Sequence, residues 1–220
     1  MKIGIFVLTG TLALSIFPNY SFAWSSRGDI PIFEAVHQMA VEKVLSGMVD
    51  AQFIDILQEQ QLVVDQDKGI KYSQEHAMTG LAPGEKYDDR KPVFVVRSNA
   101  FVISKLTEAK HFRQQGNIPE SMEQLGKAIH TLQDSTSPAH QGFQPWHDDE
   151  SLISKTQHVL KEATYPDDGG STRELQRKKL EGATLWAYDI FIGKTSMPSE
   201  FFDAKSGMIL LPSEYMEAVK

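Results

Sequence analysis

Residues 119–140 read PESMEQLGKAIHTLQDSTSPAH, and the fold turns on that stretch. Pro119 and Glu120 suit the first turn of a helix. Met122, Leu125, Ile129 and Leu132 then recur at the 3.6-residue period, an apolar stripe made for a core. Gly126, His130 and Asp134 form a second row about 100° away. Glycine inside a helix costs about 1 kcal/mol relative to alanine. Gly126 therefore calls for close packing of another backbone over the row, or for room around a ligand cluster. Pro138 disfavours helix at Ser137, so His140 should approach from another direction. His130, Asp134 and His140, at spacings of four and six, make a plausible metal-ligand layout.

Working outward, helices flank this one on both sides. Downstream, Gly142 to Asp149 reads as a loop carrying Phe143 and Trp146, either an apolar wall or a packed turn. Ser151 to Thr164 reads as a helix with His158 and Glu162 at i and i+4, and Arg173 to Lys194 as a long helix with Ala183, Trp186, Ala187, Ile190 and Phe191 on one face. The tail, with Pro198 and Pro212, should pack irregularly. Upstream, the periodicity predicts a helix from Pro92 to Gln115 that Gly116 ends. His111 near its C-terminus suits the dipole there. Val63 to Gly69 reads as a loop holding Asp65 and Asp67, and a second connection runs from Ala82 to Asp89. Shorter helices are expected over Ala51–Gln60 and over Ile30–Ser46, the latter with Asp29 as N-cap, Pro31 in the first turn and Gly47 just past the end. His37 shares a face with Phe33, Ala40, Val41 and Val44, so it should be at least half buried. No repeat, heptad or sustained strand alternation interrupts this pattern. The expected fold is one all-α domain.

The first 23 residues read as a signal peptide: Lys2, an apolar run over 3–17, Pro18, then Ser21-Phe22-Ala23 as a cleavage site. The mature domain would be 24–220, starting at Trp24 and exported to the periplasm or beyond. Its formal charge would go from −7 to −8, since the leader contains Lys2 and no acid. That balance argues against a stable nucleic-acid complex, because phosphate backbones are met with Lys and Arg. It does not exclude a phosphate held through bound cations. There is no cysteine, so a core, a metal or both must hold an exported domain together.

His37, His76, His130, Asp134, His140, His158 and Glu162, with Asp65 or Asp67, offer nitrogen and carboxylate ligands without thiolate. Such a set suits Zn²⁺, with Fe or Mn as alternatives. It is too large for one tetrahedral ion, so two or three ions sharing a carboxylate is the economical count. Metal pairs recur in enzymes that cleave phosphate esters.

At this point the chain resembles the secreted zinc-dependent phospholipases C and the related single-strand-specific nucleases. Their hallmark is a mature N-terminal Trp that ligates metal, and cleavage after Ala23 would leave Trp24 first. His37 lies thirteen residues later, as in the phospholipase branch. The family pattern His-x3-Asp-x5-His is met by His130, Asp134 and His140, and the final His-x3-Glu by His158 and Glu162. Asp65 and His76 fit the remaining pair, although their spacing of eleven is short and Asp67 competes.

The resemblance implies an all-helical hydrolase with three zinc ions. Asp65, His76, His130 and Asp134 would hold one, and His140, His158 and Glu162 a second. Trp24, His37 and Asp134 would hold the third, with Asp134 as the bridge. Asp65 would be the catalytic residue, orienting a water or taking its proton. The substrate would be a phosphodiester, phospholipid or nucleotide, with contact to a membrane surface on the lipid reading. A metal-bound binding module without catalysis is the alternative class. Oligomeric state is left open.

Overall fold

The computed structural model describes residues 36–66, 69–146, 166 and 171–219, and these are mostly helical. Six α-helices and one 3-10 helix are found among them: α1 (Val36–Leu45), α2 (Ala51–Gln66), the 3-10 helix (Ile70–His76), α3 (Tyr87–Gln114), α4 (Ile118–Asp134), α5 (Ser171–Ile192) and α6 (Ser213–Ala218). The expected leader, Trp24, the start of the expected first helix, Asp67, and the expected helix with His158 and Glu162 lie outside the described residues. None of the described helices is long and apolar enough to cross a membrane.

Helix α4 is the element the others pack on, touching α2, α3, α5 and the 3-10 helix. Its stripe of Met122, Leu125, Ile129 and Leu132 is buried as the periodicity required. Phe94, Val95, Val102 and Leu106 of α3 meet it, together with Trp186, Ile190 and Phe191 of α5. The tail adds Phe201 and Phe202 to the same core. Asn99 clamps that tail: its Oδ1 accepts from the Phe201 and Phe202 amides at 2.6 and 3.1 Å. The irregular backbone there is thereby satisfied without a ladder.

Gly126 has a packing explanation. A Cβ on it would lie 2.7 Å from the Cβ of Gln60 on α2, so two helices touch at the glycine. Gln61 Nε2 donates to the Gly126 carbonyl at 3.2 Å and pins the same crossing. Gly47 and Gly116, with φ of +80° and +79°, follow α1 and α3 as expected; both sit where a left-handed residue ends a helix at no steric cost.

Three expectations are corrected. Helix α2 does not stop at Gln60 but runs on to Gln66, so Asp65 is helical and not in a loop. The two valines lower helix propensity only by tenths of a kcal/mol each, and Leu57, Gln61 and Val64 extend the buried stripe at i, i+4 and i+7. Helix α3 starts at Tyr87, one turn before Pro92, with Asp88 and Asp89 in its first turn. Those acids favour the helix N-terminus and offset part of the amide hydrogen bond that Pro92 cannot make. Finally, two short strands, β1 (Thr79–Gly80) and β2 (Pro145–Trp146), pair in parallel. They tie the segment after His76 to the segment after His140.

Candidate metal centre

Asp134, at the last turn of α4, is fully buried, and imidazoles from three other segments converge on it. His130 comes from the same helix one turn back, and its Nε2 lies 3.1 Å from Asp134 Oδ2. His76, the last residue of the 3-10 helix, brings Nδ1 to 3.1 Å from the same oxygen. His76 Nδ1 and His130 Nε2 are themselves 3.3 Å apart. Three donor atoms thus form a triangle with nearly equal edges. An ion with bonds of 2.0–2.1 Å in tetrahedral geometry spaces its ligands by roughly 3.3 Å.

The other carboxylate oxygen faces elsewhere. Asp134 Oδ1 lies 3.0 Å from His37 Nε2 on α1, yet the two buried atoms are out of hydrogen-bond alignment and have no other partner. Buried polar atoms nearly always find partners, and an unmatched pair at this distance suits a shared cation. The two oxygens of Asp134 therefore face different imidazoles, the arrangement a bridging carboxylate needs. Asp65 Oδ1 approaches His130 Nε2 at 3.5 Å from α2. His140 Nδ1 lies 3.9 Å from Asp134 Oδ2.

His140 reaches the cluster by the turn that Pro138 was expected to start. The helix ends at Asp134, Ser137 N donates to the Asp134 carbonyl at 2.9 Å, and His140 N donates to Ser137 O at 3.1 Å. Its Nδ1 then donates to the His76 backbone carbonyl. That bond fixes the tautomer with the lone pair on Nε2, as is common for ligating histidines.

Burial and neighbouring charges put His37 and Asp134 in the protonation states a metal ligand needs. Burial, and then the neighbouring His130, push His37 down to about 3, so it is neutral at pH 7. For Asp134, burial acts upward, but the charges of His130 and His140, the hydrogen bond from His130 and the close approach of His37 outweigh it. They hold the carboxyl well below the usual range. Ligands must be neutral imidazole and ionised carboxylate. Two groups of side chains place one ligand atom each close enough for a single ion: His37, Asp65 and His130, and His76, His130 and Asp134. These buried His/Asp groups could hold a metal ion.

Of the expected ligands, the structure brings together His37, Asp65, His76, His130, Asp134 and His140. Trp24, His158 and Glu162 lie outside the described residues. His111 is exposed and bonded to Gln115, away from the cluster. Of the two readings of the loop at Phe143, the packed turn is the one found: the side chain is fully buried, its ring 5.2 Å from that of Phe202. It holds φ of +61° there, a conformation costly for a bulky residue and kept only because its surroundings enforce it.

The side chains that fix these segments to α4 carry no signal in the sequence. Thr131 Oγ1 donates to Glu75 O at 2.6 Å and anchors the 3-10 helix one residue before His76. Gln133 Nε2 donates to Thr184 Oγ1 at 2.8 Å and to His37 O at 3.4 Å, joining α5 and α1 to α4. Thr131 follows His130 and Gln133 precedes Asp134 in sequence, but nothing in their type distinguishes them from surface polar residues. No family model, curated protein or solved structure matches this chain.

Proposed function

We propose that this protein is an exported zinc-dependent phosphodiester hydrolase with the helical fold of the phospholipase C and single-strand nuclease family that its ligand order resembles. One observation carries the reading: imidazoles from α1, the 3-10 helix, α4 and the following turn converge on the fully buried Asp134, and Asp65 of α2 joins the same cluster at His130. Structural ion pairs seldom gather four imidazoles around one acid, whereas helical folds build metal sites from facing helices in this way.

Asp134 would bridge two ions, with His76 and His130 on one side and His37 on the other. Trp24, released by signal-peptide cleavage, would add its α-amine beside His37, while His158 and Glu162 would complete a more open site with His140. Bound zinc supplies a Lewis acid for phosphoryl oxygens and lowers the pKa of water toward ~7. Asp65 then has the protein's part in the chemistry. Its carboxylate, 5% exposed at the edge of the cluster, would orient the attacking water or accept its proton. His37 and Asp134 need give up no proton at pH 7 to serve as ligands. The substrate is a phosphodiester, with the phospholipid favoured over the nucleotide because His37 lies thirteen positions after Trp24.

Protein beginning at Trp24 should contain zinc and hydrolyse bis-p-nitrophenyl phosphate, and chelation should abolish turnover reversibly. Phosphatidylcholine and single-stranded DNA, run beside it, separate the two substrate classes. Retained zinc with no turnover of any of the three would replace the hydrolase with a metal-bound binding module. One extra residue ahead of Trp24 should lower both zinc content and rate, because the α-amine would no longer be placed to bind. Full activity with the extension would remove Trp24 from the ligand set.

A further inference from the structure

A second feature lies outside the His/Asp cluster, on the surface between α3 and the 3-10 helix. Arg97, Phe101, Ser104 and Lys105 follow one another at i, i+4, i+7 and i+8, so they share one face of α3. Lys71 and Gln74 of the 3-10 helix form the opposite wall of a cavity of about 620 Å³. That size falls within the range of small-molecule sites. Among the described residues three cations and no carboxylate line it, with Glu108 just outside, bonded to Ser104 and Lys105, on a chain whose formal charge is −7.

The cations are held, each in a different way. Arg97 makes no ion pair among the described residues, and its guanidinium lies 5.3 Å from the centre of the Phe94 ring. Lys105 is steadied by Glu108 at 2.8 Å and sits 5.8 Å from the centre of the Phe101 ring. Lys71 Nζ lies 4.4 Å from the centre of the Tyr72 ring. Resting cations on aromatic faces limits their freedom before any ligand arrives. The walls are joined as well: Ser98 Oγ donates to the Gln74 carbonyl at 2.6 Å.

We propose that this groove binds a phosphate-bearing small molecule, its phosphate between Arg97, Lys71 and Lys105 and its organic part against Phe101. A planar guanidinium meets phosphate oxygens two at a time, and two ammonium groups add charge from the other sides. Gln74 keeps one amide N–H for the ligand beside its 3.5 Å contact to Glu75, Ser104 donates its hydroxyl to Glu108 at 2.7 Å, and the partly buried Phe101 ring gives an apolar surface for the rest of the ligand. None of these residues belongs to the His/Asp cluster, so the inference stands whether or not that cluster catalyses.

Phenyl phosphate and inorganic phosphate, titrated into the purified protein and followed by NMR at the amides of residues 71–74 and 97–105, provide the test. These amides should shift saturably with both, and phenyl phosphate should bind more tightly. Arg97→Glu should weaken binding about tenfold, the loss of a charge-assisted contact. Phe101→Ala should erase the preference for the phenyl ester. Arg97 and Lys71 are exposed, so Lys71→Glu repeats the charge test from the opposite wall if Phe101→Ala folds poorly. Shifts absent from these amides, or unchanged by Arg97→Glu and Lys71→Glu, would overturn the site. Response only to vesicles containing phosphatidic acid would replace it with a membrane-facing surface.

Discussion

Asp134 and Asp189 are both buried carboxylates, and the molecule treats them in opposite ways. Asp189, near the end of α5, receives Lys194 Nζ at 2.8 Å and the Tyr215 hydroxyl at 3.3 Å. The lysine is 65% exposed, so its head reaches in from solvent while the acid stays covered. One charge meets one charge, and the contact closes the start of the tail onto α6. Asp134 meets four imidazoles and, among the described residues, no Lys or Arg. His37 is neutral at pH 7 and cannot balance it. Burial is common to the two acids and does not distinguish a site. What distinguishes it is an acid surrounded by groups that can give lone pairs as readily as protons.

The comparison breaks first at Asp134. Asp134→Asn keeps the shape but removes the charge and one strong ligand atom, so zinc affinity should fall by more than about 100-fold, beyond the usual effect of losing a ligand's support. Any single His→Ala change among the four should cost less, because the proposed bridge serves two ions. Metal analysis of the variants after equal dialysis decides the point. Equal losses would count against the bridge, and zinc loss in Asp189→Asn would erase the contrast.

Acid should act next, and on the Asp134 side. The pKa of His37 in the folded protein is about 3 against an ordinary 6.5, so on acidification the unfolded chain takes up this proton first. Stability of the metal-free protein is therefore complete above about pH 6.5 and falls as pH drops through the interval toward 3. The depressed Asp134 carboxyl acts with the same sign at the acid end. Denaturant midpoints measured across this interval in chelator should decline, and His37→Asn should flatten the slope. A slope unchanged by that substitution would move the effect elsewhere.

The smallest effects belong to the Asp189 pair. Asp189→Asn should lower stability by about 1 kcal/mol through the weakened contacts to Tyr215 and Lys194, with zinc content unchanged. Lys194→Ala should shift the thermal midpoint less, since a solvated head group is easily replaced by water. A larger effect from the lysine would show that the pair acts as more than a surface clasp.

Local rules made part of this molecule legible without coordinates. The i, i+4 placement of His130 and Asp134, the core stripe of α4, the helix ends at Gly47 and Gly116, and the break after Asp134 depend on neighbours within about one helical turn. Other features depended on partners far along the chain. Asp65 is helical because Leu57, Gln61 and Val64 find a buried surface, which no local propensity predicts. His76 meets Asp134 because Thr131 holds the 3-10 helix against α4. Phe143 went to the core because Phe202 was there to receive it, and Gly126 owes its place to Gln60. The sequence by itself determined which donors exist and how neighbouring donors are aimed, since backbone geometry repeats every turn. Only the tertiary structure decided that donors from four segments share one buried carboxylate, because that convergence is set by packing between residues many turns apart.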